Sequence, residues 1–213
     1  MNPHQVTRDF EAELARYTGA TYAVTVTSCT MALLLACAYY RYCSGPRTIT
    51  IPRRTYVSVP QSIIHAGHDV DFHRQEWSGA YRLIGTGIVD SARRFTSGMH
   101  QHGDYQCVSF HASKILALEQ GGAILHDNPH ADAFFRRARF DGRTEGVDPK
   151  DDQFDMLGYH CYMSPSVAAA GLMKLSVLPK HNDDLPNSDY PDLSTFPIFG
   201  GSKEKANRTT VAA

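Results

Sequence analysis

The sequence predicts an α/β fold, with a mostly parallel central sheet flanked by helices in three layers. Two observations favour it. Short β-branched or apolar segments alternate with segments of helical periodicity, and short Gly- or Pro-containing turns connect them. The chain has 213 residues, of which 42% are hydrophobic and 20% charged, which suffices for a substantial core. Its net charge of -1 gives no sign of a nucleic-acid-binding surface.

The predicted elements follow in chain order. A helix over 7–18 has Thr7 as its candidate N-cap, and Gly19 ends it. A strand over 22–26 precedes Ser28, the expected N-cap of an apolar helix over 31–42. The remaining predicted elements are strands over 47–51, 68–72, 84–89, 107–110 and 123–125, and helices over 56–66, 129–139 and 166–178.

A change of composition near residue 181 divides the chain. We expect an ordered domain over 1–180 and an extended tail over 181–213, either draped on a surface or mobile, because the tail is rich in Pro, Asp, Asn and Ser without periodicity. The five cysteines form no C-x-x-C pair, which favours reduced thiols. No apolar run is long enough for a membrane span, and the first residues lack a signal-peptide core, so a cytoplasmic location is expected.

One lysine stands out as a candidate catalytic group. The chain has fifteen Arg and six Lys, and Lys114 is the only Lys in the first 149 residues. It lies between a predicted strand and the pair Gly121-Gly122. A partly buried lysine loses its proton easily, as Schiff-base chemistry requires. The alternative is a chance survivor in an arginine-preferring sequence.

Two further positions could bind a ligand. Asp90 ends an apolar strand, and ligands of open α/β sheets bind beyond the carboxyl ends of strands. Residues 27–30 lead from a strand into a helix, whose free N–H groups form an anion site. Simple helix capping explains each feature equally well or better when it is taken alone. His100 and His102 lie in a Gly-rich loop, where a metal site is a weaker possibility.

The order of these features matches the needs of one cofactor. An anion-binding helix start, an aromatic residue in the next helix, an Asp at a strand end, and a Ser and a Lys near a Gly-Gly turn follow one another. Pyridoxal 5'-phosphate (PLP) needs a phosphate cradle, a ring-stacking aromatic side chain, a carboxylate on its pyridinium nitrogen and a lysine. We therefore expect a PLP site and no metal.

Five blocks in the same order also resemble the DegT/DnrJ/EryC1/StrS family of PLP-dependent sugar aminotransferases of fold type I. The resemblance runs from about residue 10 to residue 178. The blocks are FEAELARYTGATYAVTVTSCTMALLLA, IPRRTYVSVPQSIIHAG, GIVDSARRF, VSFHASKILALEQGGAIL and LGYHCYMSPSVAAAGLMKL.

The resemblance implies a role for each matching residue. Lys114 would form the aldimine with the cofactor and shuttle protons, Asp90 would keep the ring nitrogen protonated, and Tyr56 would stack on the ring. His160 would reach the phosphate from the partner subunit, which implies a homodimer with shared sites. The other residues implied to bind the cofactor are Ser28, Cys29, Thr30, Arg93, Ser109 and His111.

The chain also departs from the family. Cys29 replaces a usual Gly, Arg93 a Gln, His160 an Asn, and Gln120 a Glu. By the same resemblance, we expect the tail after residue 180 to stand in place of the family's C-terminal small domain, which helps to bind the substrate. The implied reaction moves an amino group from a glutamate-like donor to a keto group, such as that of a nucleotide-linked sugar. Three alternatives stay open at this point: a different PLP enzyme such as a lyase, an inactive interaction protein, and a metal hydrolase using His100 and His102.

Overall fold

The computed structural model describes residues 4–186 and 189–199. Strands and helices alternate up to residue 73, as the sequence predicts, but the next four strands follow one another without a helix. Most predicted boundaries hold within a few positions. The elements are α1 (Gln5–Thr18), β1 (Tyr22–Val26), α2 (Cys29–Ser44), β2 (Thr48–Pro52), α3 (Ser58–His65), β3 (Asp69–His73), β4 (Tyr81–Arg82), β5 (Ile88–Asp90), β6 (Tyr105–Ser109), β7 (Gly122–His126), α4 (Pro129–Ala138) and α5 (Pro165–Ser176), followed by two single-turn 3-10 helices (Leu193–Thr195 and Pro197–Phe199).

The central sheet is mixed. Its strand order is β1-β7-β6-β5-β4, and β2 and β3 form a separate parallel pair. Within the five-stranded sheet only β5 and β6 run parallel, whereas the sequence predicted mostly parallel strands. The β4–β5 connection spans only residues 83–87, too short for the crossover that a parallel pair needs, whereas the parallel pair β5–β6 is joined by the longer connection over residues 91–104. The α/β class itself is confirmed.

Helices cover both faces of the sheet, which gives the three expected layers. The core on one face includes Leu35 of α2 and Ile63 of α3, and the core on the other includes Phe10 of α1. Strand β7 contributes to both, since Ile124 faces the first core and Leu125 the second. This alternation is the period of two that a strand imposes.

Helix capping was predicted correctly at one helix and wrongly at another. The Ser28 hydroxyl accepts a hydrogen bond from the Met31 N–H at 3.2 Å, as expected of an N-cap. Helix α1 starts earlier than predicted, with His4 as its N-cap, and Thr7 is buried inside the helix. Strand β4 was not predicted, because two residues are too short to show alternation.

The first part of the predicted tail packs on the domain. Asp184 pairs with Arg94 at 2.6 Å, and Asp192 pairs with Arg53 at 3.0 Å. Residues 181–186 and 189–199 are therefore draped on the surface, the first of the two possibilities, while residues 187–188 and 200–213 lie outside the described residues. The division into a domain and a tail stays a prediction. Each helix within 4–186 and 189–199 is too short or too polar to cross a lipid bilayer.

Candidate active site

A cavity of about 400 Å³ opens where four elements meet at one edge of the central sheet. Strand pairing explains the convergence. Gly122, the first residue of β7, lies opposite both Val26, the last residue of β1, and Ser109, the last residue of β6. Asp90, the last residue of β5, lies opposite Cys107. The ends of three strands and the start of α2 thus surround one space.

All but one of the predicted site residues line this cavity. The exception is His160, whose side chain is 71% exposed and contacts Asp141 through Nδ1 at 2.8 Å. His160 was expected to act in a partner's site, so its role stays a prediction. The predicted residues that line the cavity are Ser28, Cys29, Thr30, Tyr56, Asp90, Arg93, Ser109, His111 and Lys114.

The start of α2 forms the floor of the cavity. It lies so close to β7 that a Cβ atom on Gly122 would stand 2.5 Å from the Cys29 backbone nitrogen, so only glycine fits there. The Cys29 thiol turns to the Cys107 carbonyl oxygen at 3.6 Å, and burial raises its pKa well above the usual value, which keeps it neutral. The N-terminal end of α2 carries the partial positive charge and N–H groups that favour an anion.

Asp90 is a buried carboxylate, only 5% exposed. Its Oδ1 accepts a hydrogen bond from the Ala92 N–H at 3.0 Å, and its Oδ2 accepts one from the Tyr81 hydroxyl at 2.9 Å. Burial raises the pKa of Asp90, and these hydrogen bonds and the charges of Lys114 and Arg93 oppose that rise. A further cation in the cavity would stabilise the ionised form of a carboxylate buried in this way.

Lys114 lies in an ordered loop between β6 and β7. Its N–H donates to the His111 carbonyl at 2.9 Å, and the Phe110 N–H donates to the Gly121 carbonyl at 2.9 Å. The His111 ring contacts the Ser113 hydroxyl at 3.0 Å. These bonds fix the lysine on the cavity wall, where its charge acts on the buried Asp90.

Several residues that shape the site were not predicted from the sequence. Trp77 and Tyr190 line the cavity as an aromatic wall, with ring centroids 6.3 Å apart and planes 13° from parallel. Tyr81 orients Asp90, and the Tyr81 hydroxyl also contacts the Thr55 hydroxyl at 2.5 Å. One feature of the sequence marks Trp77, which is that it is the only tryptophan of the chain.

Two other places in the fold hold ordinary ion pairs. His100 and His102 both contact Asp127, at 2.8 and 2.9 Å. No group of three or more potential ligands is placed to hold a metal ion within 4–186 and 189–199. A concavity of about 550 Å³ lies between α1 and α4, and there Arg136 already pairs with Glu11 at 2.7 Å.

Comparison with known proteins identifies the family. The model of the DegT/DnrJ/EryC1/StrS aminotransferase family matches residues 3–78 and 88–184, which is most of the chain. The chain therefore belongs to this family, as its motifs predict. A search of curated proteins found no match.

Solved structures show the same fold at low sequence identity. The sugar aminotransferase CalS13 from Micromonospora echinospora is 16% identical with a TM-score of 0.70, and the match covers 82% of this chain and 61% of that one. S. venezuelae DesV, solved in complex with a ketimine intermediate, is 18% identical with a TM-score of 0.67, and the match covers 81% and 57%. A DegT DnrJ EryC1 StrS aminotransferase from Brucella abortus is 16% identical with a TM-score of 0.68, covering 82% and 59%. The chain thus spans less than two thirds of the length of each.

The cavity fits the cofactor of this family, which is PLP, as the sequence predicts. The glycine-only contact between β7 and α2 creates a floor of backbone N–H groups suited to a phosphate. The buried Asp90 suits a protonated ring nitrogen, and Lys114 is on the wall of the same cavity. The residues present therefore match the phosphate, the ring and the aldehyde of that cofactor.

Proposed function

We propose that this chain is a PLP-dependent aminotransferase. The observation that carries the proposal is that Lys114 and Asp90, from different elements, line the same cavity as the N-terminus of α2. Lysine, carboxylate and anion cradle are the three groups that PLP chemistry requires, and separate structural roles would not bring all three to one space.

Each group has a defined task. The backbone N–H groups at the start of α2 bind the phosphate, together with the hydroxyls of Ser28, Thr30 and Ser109. Tyr56, which is 57% exposed at the cavity rim, packs against the ring. Asp90 holds a proton on the ring nitrogen, with its own orientation set by Tyr81.

When bound, the cofactor supplies an electron sink that stabilises negative charge on the substrate carbon next to nitrogen. Lys114 anchors the cofactor and then takes a proton from the Cα of the donor. In the second half of the reaction it delivers a proton to the acceptor carbon that receives the amino group. Asp90 keeps the ring nitrogen cationic while this occurs, because its charge is buried and screened little by water.

We further propose a glutamate-like amino donor and a keto acceptor such as a nucleotide-linked sugar. Support comes from similar structures that are described as sugar aminotransferases, of whose lengths the chain spans 58–61%. The free cysteines agree with a reducing, cytoplasmic location.

A homodimer with shared sites completes the proposal. His160 lies outside the cavity of its own chain and is exposed, so its imidazole is available to a second copy. Light scattering is expected to give twice the chain mass, and a monomer at working concentration would remove His160 from the site.

The decisive experiment is a visible spectrum of the purified protein with added PLP. We expect an absorption band in the parent and in Lys150→Ala, an exposed lysine control, and none in Lys114→Ala. Borohydride should then fix the cofactor's mass on the peptide that contains Lys114. Absence of the band from the parent would refute the proposal.

Glutamate then separates an aminotransferase from a lyase on the same scaffold. An aminotransferase converts the bound cofactor to its amine form and releases 2-oxoglutarate in equal amount, without any acceptor. Turnover that releases ammonia, or that leaves the cofactor spectrum unchanged, would favour the lyase instead.

A further inference from the structure

Three buried polar side chains form a hydrogen-bonded chain at the cavity wall. The Tyr81 hydroxyl contacts the Thr55 hydroxyl at 2.5 Å and donates to Asp90 Oδ2 at 2.9 Å. Residues Thr55, Tyr81 and Asp90 are only 1%, 3% and 5% exposed. Thr55 and Asp90 line the cavity, and Tyr81 connects them without lining it. Water therefore has little access to either hydrogen bond of this Thr55–Tyr81–Asp90 chain.

The fold fixes the middle member of the chain. Tyr81 and Asp90 are direct partners in the antiparallel register of β4 and β5, so their side chains share one face of the sheet. The Trp77 ring packs against the Tyr81 ring, with centroids 4.6 Å apart. Thr55 reaches the Tyr81 hydroxyl from the connection between β2 and α3. Two strands and one connection thus meet at a single hydroxyl group.

The chain has a defined direction when Asp90 is ionised. A carboxylate can only accept, so Tyr81 uses its one hydroxyl proton to donate to Asp90. The Thr55 hydroxyl must then donate to the Tyr81 oxygen, which has no second proton to give. Burial and the nearby Asp90 charge raise the pKa of Tyr81 well above its usual value, which keeps the proton on the hydroxyl. Both hydrogen bonds therefore stabilise the ionised form of Asp90.

We propose that this chain keeps the Asp90 carboxylate ionised, so that a proton shared between Asp90 and the cofactor's ring nitrogen lies on nitrogen. Tyr81 is thus a positioning residue of the reaction, and Thr55 supports it. The proposal deepens the proposed function and rests on it. Burial alone favours the neutral carboxyl group, which would retain the proton. A hydrogen bond to the carboxylate opposes this, and it is stronger where water is excluded.

Two positive charges, one backbone N–H and two thiols also face Asp90. The charges and the N–H favour its ionised form, and the thiols stay neutral because burial raises their pKa. In this order, the groups are Lys114 of the β6–β7 connection and Arg93 after β5, the Ala92 N–H, and Cys29 of α2 with Cys107 of β6. Removal of one hydroxyl leaves all of them in place, so Tyr81→Phe isolates the contribution of the chain.

The first test follows the Asp90 carboxyl signal by carbon-13 NMR against pH in the cofactor-free protein, with Asp90→Asn to assign the signal. We expect Tyr81→Phe to move the titration midpoint to higher pH, because the carboxylate loses a donor. Thr55→Val should move it the same way by less, and Thr55→Ser, which keeps the hydroxyl, should match the parent. Tyr105→Phe is the matched control, since Tyr105 is a buried tyrosine that accepts from Asn128 at 3.1 Å at the end of β6 remote from the cavity.

The second test uses the PLP-loaded protein with nitrogen-15 in the cofactor ring. In Tyr81→Phe we expect the nitrogen signal to move towards that of an unprotonated pyridine, and in Tyr105→Phe we expect no change. The kcat of Tyr81→Phe should fall about tenfold, as expected from the loss of one hydrogen bond to a charged group. Its KM for the amino donor should stay nearly unchanged, because Tyr81 does not line the cavity.

An unmoved carboxyl titration in Tyr81→Phe, or an unmoved nitrogen signal, would overturn the proposal, because Tyr81 would then act only in packing. The same holds if Thr55→Ser behaves like Thr55→Val, since the hydroxyl would not be the group that matters. The Lys114-dependent absorption band tests the proposed function separately. A band together with an unmoved titration refutes this inference alone, whereas a missing band refutes the proposed function and this inference with it.

Discussion

Substitution of Gly122 by alanine tests the geometry of the phosphate cradle directly. A Cβ atom at this position would lie 2.5 Å from the Cys29 nitrogen and 2.6 Å from the Ser28 carbonyl carbon. Ordinary contacts begin at 3.4 Å, and both atoms belong to backbone, so neither can rotate away. The start of α2 must therefore move by about 1 Å relative to β7.

This movement has two separate effects, one on the stability of the fold and one on the affinity for the cofactor. Overpacking of this kind costs about 1–3 kcal/mol of stability. The displaced N–H groups also lose alignment with the phosphate, and one lost hydrogen bond to a charged group costs about 1.5–3 kcal/mol. The dissociation constant of the cofactor should therefore rise about 10- to 150-fold.

The assay pairs cofactor titration with thermal unfolding, and Gly171→Ala is the control. Gly171 also has no room for a Cβ atom, which would meet the Phe10 ring at 2.5 Å, but it lies in α5 where that helix packs against α1, away from the cavity. We expect both variants to lower the melting temperature, by about 2–4 °C for each kcal/mol in a chain of this size. Only Gly122→Ala should weaken the cofactor. Equal cofactor affinity in the two variants would refute the assignment of the α2 start as the phosphate cradle.

Two further predictions concern buried titratable groups. Burial raises the pKa of Asp90, so the ionised form of this side chain destabilises the folded state. The contribution of Asp90 to the free energy of unfolding is therefore most favourable below the ordinary carboxyl pKa and is lost as pH rises through the raised pKa. Asp90→Asn should therefore raise the melting temperature of the cofactor-free protein at pH 7 by a few degrees while abolishing turnover, and a lower melting temperature at pH 7 would contradict this. His126 is fully buried, and burial lowers its pKa from 6.5 to about 4, so unfolding takes up a proton between these values. Denaturant titrations should show a loss of about 3 kcal/mol between pH 7 and pH 4 that is absent from His126→Phe; a parallel loss in both proteins would show that another group is responsible.

Local signals made the cofactor side of the site predictable. Ser28 follows a β-branched strand and caps an apolar helix, and Asp90 ends a strand, so each position is readable from a few neighbouring residues. Lys114 is the only lysine in the first 149 residues, but the order of the motifs around it, and not this isolation alone, is what predicts its role. Strand direction was less accessible, because the β5–β6 and β6–β7 connections both lack a helix and have similar lengths, yet only β5 and β6 are parallel.

Contacts between distant residues were not predictable in this way. Tyr190 and Arg93 are 97 positions apart, and the segment that carries Tyr190 has no periodicity that would assign it to a surface. Tyr81 is only nine positions from Asp90, but it lies in a two-residue strand without a readable pattern. In both cases the tertiary fold, and not local sequence, brings the hydroxyl to its partner.

The unpredicted hydroxyls share one further property. Tyr81 lies between the two segments that match the family model, and Tyr190 lies beyond the second. One contacts Asp90 and the other contacts Arg93, so both act on the edge of the cavity that follows β5. The cradle and the lysine, in contrast, come from matched segments. The two hydroxyls that lie outside the matched segments therefore act on residues within them, Asp90 and Arg93, at one edge of the cavity.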